Sequence, residues 1–184
     1  MDEQKSLFPD VKSRGERIFE LKEYYFTDEV KIIADFGDYD SKILILGISP
    51  VQTHYASNSK SCFAFDISTE QTERSGGVLC RVFERLGIRV EDVLWDNIYK
   101  FPLELLDEAA KENNIKYIEE FIKIIKPTMI IVLGNDCESV VNKLKIDNSI
   151  KIRKVMHPAV VCRGFYTFEE YYKNWERLSV GDLL

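Results

Sequence analysis

Histidine is scarce in this chain: His54 and His157 are the two present, against 31 acidic and 25 basic residues. Any site built on imidazole must use one of them. The four cysteines, Cys62, Cys80, Cys137 and Cys162, form no CxxC pair. Zinc and iron–sulfur centres draw on closely spaced ligand pairs. No metal is therefore expected, and the thiols read as free, small buried hydrophobes in a reducing compartment. No apolar run approaches the roughly 20 residues of a membrane span. The opening stretch, MDEQKSLFPD, lacks the apolar core of a secretory signal. A cytoplasmic protein with no membrane partner is expected. Positive charge is not in excess either. A net charge of −6 argues against nucleic-acid binding driven by charge alone. It leaves room for a local patch, such as Lys151-Ile152-Arg153-Lys154 followed by Arg163. The phosphate-binding patterns GxxxxGK[ST] and GxGxxG are both missing.

There is no repeat, low-complexity tract or Gly/Ser/Pro linker, so residues 1–184 are expected to form one domain. Residues 11–35 carry apolar positions at helical spacing, and residues 1–40 are expected to supply N-terminal helices packed on a sheet. Four runs read as buried strands: KILILGI (42–48), DVLWDNI (92–98), TMIIVLG (128–134) and IRKVMH (152–157). The first and third are nearly all apolar, as in parallel strands covered on both faces. Helical patterns follow at 76–87, at 113–127 before a proline, at 136–146 behind the capping aspartate Asp136, and at 167–179. The acidic stretch at 103–114 reads as a solvated helical surface. Strands alternating with helices predict a three-layer α/β/α sandwich with a four-stranded, mainly parallel sheet.

In open sheets of this kind, ligands sit beyond the carboxyl ends of the strands. Those ends carry Ser49-Pro50, Asp96-Asn97, Gly134-Asn135 and His157-Pro158. Two chemistries compete for them. Gly47-Ile48-Ser49-Pro50-Val51 has the first glycine of a GxSxG nucleophile elbow but not the second, and a polar loop rather than a helix follows. A Ser49–His157 hydrolase is thus the lesser reading. The other reading starts from the aromatic segment Ser61-Cys62-Phe63-Ala64-Phe65. A phenyl ring can stack on a planar heterocycle, a carboxamide such as Asn97 can read its edge, and His157 can donate to a carbonyl that gains charge when a base leaves a sugar. Of Phe63 and Phe65, at least one is expected in the core.

Five segments together resemble the uracil-DNA glycosylase superfamily. Strand one with Gly47-Ile48-Ser49-Pro50 resembles the first motif of that family, and SCFAF the segment of its stacking phenylalanine, at Phe63. LWDNIYKFP resembles the strand whose asparagine reads uracil, at Asn97, and KPTMIIVLGNDC resembles a further family strand. HPAVVCRGF, from His157 to Phe165, resembles the second motif, His-Pro-Ser followed by Arg-Gly-Phe. The likeness spans roughly residues 40–178.

The resemblance implies excision of uracil or a related deaminated base from DNA, by a monomer without metal or organic cofactor. His157 and Ser49 would be catalytic. Gly47, Ile48, Pro50, Phe63 and Asn97 would bind the base. Pro158, Val160 and Arg163 would face DNA, with Val160 or Val161 as a wedge between base steps and Arg163 on phosphate. Three positions depart from the family, one of them Val51, where many members have a glycine or a tyrosine that excludes thymine. Ser49 stands where the most active branch has a carboxylate, although other branches use asparagine there; losing that group costs on the order of 10²–10⁴ in rate if nothing replaces it. Ala159 replaces the serine that contacts phosphate. Asp66 is a candidate replacement carboxylate or a cap, and His54 a candidate base, phosphate contact or solvated loop residue. The alternative from another class is a glycosylase-fold protein that binds a nucleobase, nucleic acid or protein without cutting.

Overall fold

A computed structural model describes residues 12–26, 32–51, 61–65 and 75–178. Four strands, β1 (Ile43–Gly47), β2 (Leu94–Asn97), β3 (Met129–Leu133) and β4 (Lys151–Val155), form one sheet in the order β2-β1-β3-β4. Every pairing is parallel. Helices connect them: α1 (Arg14–Tyr25) precedes β1, α2 (Ser75–Leu86) joins β1 to β2, and α3 (Glu108–Ile125) joins β2 to β3. α4 (Gly134–Val141) joins β3 to β4, and α5 (Ala159–Cys162) and α6 (Phe168–Glu176) follow.

The two-residue period of the strands sorts their side chains into two cores. Ile45, Trp95, Ile131 and Val155 face α2 and α6, where Val78, Val82, Phe83, Tyr171 and Trp175 cover them. Leu44, Leu46, Leu94, Ile130 and Val132 face the other way, under Tyr117, Ile118, Phe121 and Ile122 of α3 and Cys137 and Val141 of α4. Helices therefore cover both faces, giving the expected α/β/α layers. α1 lies chiefly against α3, and its Ile18 joins the second core. No helix among the described residues is long and apolar enough to cross a membrane.

The sequence patterns need four corrections. Helix at the N-terminus stops at Tyr25. Residues 32–36 are extended instead, and Phe36 pairs antiparallel with Trp95 through two backbone hydrogen bonds of 3.0 and 2.8 Å. This pairing covers the outer edge of β2, which lets all four of its residues be buried. β4 is not a buried strand. It is the open edge, and Lys151, Arg153 and Lys154 are exposed, charges that discourage pairing with another chain. α3 begins at Glu108, earlier than its apolar spacing indicates, because the Asp107 side chain accepts the Ala110 N–H at 2.7 Å. Its first turns absorb much of the acidic stretch, and Asn114 is buried. α4 begins directly after β3, so Asp136 lies in its first turn and does not cap it.

The last turn of β2 is built on buried charge. Asp96 and Lys100 are both fully buried and ion-paired. Asp96 Oδ1 also accepts the Asn97 N–H at 2.8 Å. The Lys100 ammonium stands 4.8 Å from the Tyr117 ring centre, and the Lys100 N–H donates to Asn114 at 2.8 Å. Burial is the main influence on Asp96 and outweighs the Lys100 charge, so its carboxyl is raised to about 6. Removing one partner strands the other charge. Lys100→Met should cost about 3–5 kcal/mol in urea unfolding, while the pair Asp96→Leu with Lys100→Met recovers most of it. The pH sign follows from the raised value. Between the ordinary 3.8 and the folded value, the folded chain holds a proton that the unfolded chain does not, so stability falls as pH rises through that window. Without Lys100 the folded value climbs further, and the Lys100→Met deficit should be smaller near about pH 5 than near about pH 7.

Candidate functional site

The register of the sheet sets Gly47 beside Asn97. Beyond that pair the chains stay joined, with the Ile98 and Tyr99 N–H groups donating to the Gly47 and Ile48 carbonyls at 2.9 and 3.0 Å. Gly47 is required for what it leaves empty. A Cβ there would lie 2.5 Å from Asn97 Oδ1 and 2.7 Å from Phe63 Cζ. The missing methyl lets a carboxamide and a phenyl ring meet over the end of β1. Asn97 is buried and lies on the α2/α6 side, opposite Asp96.

Phe63 is held there by backbone. It lies in a short 3₁₀ turn, Cys62–Ala64, in the left-handed region with φ 57° and ψ 9°, a conformation that costs about 1–2 kcal/mol for a residue with a Cβ. The turn is fixed at both ends. The Cys62 N–H donates to the Ala34 carbonyl at 2.7 Å, and the Phe63 carbonyl packs so tightly on Gly76 of α2 that no side chain fits at 76. Phe65 is half-buried in the same aromatic cluster, with its ring centre 5.1 Å from Phe36, 5.0 Å from Trp95 and 5.8 Å from Phe63. Of the two phenylalanines, Phe63 is the one beside Asn97.

His157 comes from beyond β4 and lies over the end of β3. Gly134 has φ +88°, and a Cβ on it would lie 3.2 Å from His157 Cβ. A side chain there would be strained and would push the imidazole away. The Ala159 N–H donates to His157 Nδ1 at 3.1 Å, which places the proton of the neutral ring on Nε2. Burial first, and the nearby Arg163 charge second, lower its pKa from the ordinary 6.5. At neutral pH the ring is therefore an uncharged Nε2–H donor. Asn97 on β2 and Gly134 at the end of β3 are separated by β1 alone, two strand spacings or about 10 Å of backbone.

The other expected site residues scatter more widely. Ser49 is half-buried just past Gly47 and Pro50 is buried. Ile48 packs into the α3/α4 core, and Val51 is exposed. Pro158 is buried, Arg163 is exposed, and Val160 and Val161 are half-buried against the α2/α6 core. Asp96 does not reach the edge, since it is paired on the opposite face. Asn135 is exposed and accepts from Lys154 at 3.3 Å. His54 and Asp66 lie outside the described residues. Cys62 and Cys137 are buried thiols, and burial raises both, Cys137 to about 12. Sequence reasoning passed over Lys100 and Gly76. An aspartate inside the apolar run VLWDNI, four residues before a lysine, was the signal for the first. The Gly76-Gly77 pair opening a helix was the signal for the second.

The family model described as Uracil DNA glycosylase superfamily matches residues 34–178. None of the curated proteins compared matches the chain.

With two histidines in the chain, the imidazole state is directly measurable. In ¹⁵N–¹H correlation spectra, His157 should show the Nε2–H tautomer and titrate below the ordinary 6.5. The lowered value means that the neutral ring is fully present above 6.5 and is lost as pH falls through the folded pKa. Titration at or above the ordinary value would remove the neutral donor from the site.

Proposed function

The chain belongs to the uracil DNA glycosylase superfamily, and from that premise we propose that it hydrolyses the N-glycosidic bond of uracil, or of a related deaminated base, in DNA. The observation that carries this reading is the pairing of the Asn97 carboxamide with the Phe63 ring over Gly47. A flat base stacks on the ring while the carboxamide, both donor and acceptor, reads its edge. Uracil and cytosine present opposite patterns there, so a fixed carboxamide separates them.

The reaction follows from the other groups. The target nucleotide leaves the stack and enters the pocket. The bond from C1′ to the base nitrogen breaks, and its electron pair departs on the base. The His157 Nε2–H donates to the base carbonyl that gains this charge. Being neutral, it stabilises the anion by a hydrogen bond already in place. Ser49 orients the water whose oxygen bonds to C1′, and that water's proton passes to solvent or to the departed base. Pro158 and Arg163 belong to the loop that faces DNA, with Arg163 on a phosphate. The tautomer of His157 works against a Ser49 hydrolase. In such an enzyme the imidazole nitrogen facing the serine must accept its proton, and here the nitrogen turned away from Ala159 already carries one.

Ser49 and Ala159 favour a second reading, a protein that holds the flipped base without cutting. Strand scission separates the two. Oligonucleotides with one uracil, single-stranded or paired with G or A, are incubated and treated with alkali to reveal abasic sites. The parent should cleave, and His157→Ala should lose about 10²–10³ in rate, the cost of one such donor. Asn97→Ala should lose activity and discrimination against cytosine. The rate should hold above 6.5 and fall on the acid side, with a midpoint below that value. Binding of uracil DNA without scission at high protein concentration would establish the second reading.

A further inference from the structure

Residues 33–36 are hydrogen-bonded to the chain beside Phe63 and to the chain beside Asn97. The Ile33 N–H donates to the Lys100 carbonyl at 3.3 Å, just past the end of β2. The Ala34 carbonyl accepts the Cys62 N–H at 2.7 Å, at the start of the turn that carries Phe63. Phe36 exchanges two backbone hydrogen bonds with Trp95, two residues before Asn97. One short segment thus ties the backbone that presents the ring to the backbone that presents the carboxamide. His157 is placed by another part of the fold, the end of β3 and the Ala159 N–H.

Charge decides where that segment sits. Asp35 lies within it and pairs with Lys22, in the last turn of α1. The Asp35 side chain is 1% exposed and that of Lys22 19%. A carboxylate so far from water is stable only where a cation meets it, so Asp35 commits the segment to one place along α1. The helix is itself seated on α3: Ile18 joins the second core, and the Asn113 carboxamide donates to the Tyr25 carbonyl at 3.0 Å. An exposed pair of the same helix, Lys12 with Glu20, fixes much less, because water screens it and both side chains stay mobile. α1 also precedes residues 34–178, which the family model matches. We propose that Lys22 is a positioning residue for the base site, holding Phe63 and Asn97 in their mutual geometry through Asp35 and residues 33–36. The inference rests on the glycosylase reading given above for what that geometry serves.

The test reads geometry separately from excision. Two variants are compared with the parent: Lys22→Met, and Lys22→Met with Asp35→Asn, which strands no charge at the pair and should remain folded in urea titrations under assay conditions. In both, the Asn97 side-chain amide and the Phe63 ring signals of the free protein should shift in NMR spectra, while the His157 Nε2–H stays in place. A pair that only adds stability would move none of these signals in a folded variant. On uracil DNA, both variants should lose about 10–10²-fold in kcat/KM, the cost of misplacing a binding group from a distance, together with discrimination against cytosine. Parent-like Asn97 and Phe63 signals in the double variant, or shifts that reach His157 equally, overturn the proposal. If the parent excises uracil and both variants match it, the positioning role falls and the glycosylase reading stands. If the signals shift as expected but the parent excises nothing, the glycosylase reading falls and the role of Lys22 in placing Phe63 and Asn97 stands.

Discussion

Asp96 and Lys100 meet where neither reaches water, and the site depends on where that pair holds the chain. β2 is four residues long and buried throughout, yet it carries charge on one face and a carboxamide on the other. On the α3 side, the Asp96 carboxylate takes both the Lys100 ammonium and the Asn97 N–H. On the α2 side, Asn97 faces Gly47 and Phe63. A second pair supports the first: Lys22 of α1 reaches buried Asp35, in the extended segment that covers the edge of β2. Burial raises Asp35, but the charges of Lys22 and Lys100 outweigh it and hold the carboxyl below its ordinary value. Two carboxylates and two lysines thus lock the strand that offers Asn97. Charge buried this way is weak evidence for stability but is well suited to fixing one geometry.

Around that anchor the close approaches are made by subtraction. At Gly47 and Gly76 a Cβ would collide with Asn97 and Phe63 or with the Phe63 carbonyl, and at Gly134, with φ +88°, it would be strained and crowd His157. Phe63 meets the opposite demand, keeping its side chain in a left-handed conformation. A strained phenylalanine between two backbone clamps is a ring whose position has been fixed at a cost. The imidazole is fixed through its hydrogen bond from the Ala159 N–H, so its free nitrogen is a donor before any ligand arrives.

Much of this was legible in the chain. KILILGI and TMIIVLG announce covered parallel strands, because a strand buried on both faces shows no polar alternation. His157 stood out because the chain has few histidines and this one ends a strand. What escaped depends on tertiary pairing. Nothing local marks residues 32–36 as extended, since their form is set by Trp95 across the sheet. IRKVMH reads like the other strands until its neighbours are known, and only then does β4 become an edge. Phe63 and Phe65 were indistinguishable in sequence, and since both rings touch Trp95, the choice between them came from the approach of Phe63 Cζ to Gly47. Asp96 looked like a polar strand end because its partner Lys100 lies beyond a turn. The Ser49 substitution was visible at once, but its consequence belongs to chemistry and not to fold.

The proposed function requires Phe63, Asn97 and His157 to act together on the edge of uracil. The most direct measurement is titration of ¹⁵N-labelled protein with free uracil and, separately, free cytosine, following the Asn97 side-chain amide and the His157 Nε2–H. Uracil should move both signals in a single saturable process, while cytosine leaves them in place. Signals that respond equally to both bases, or to neither while the protein is folded, would contradict it.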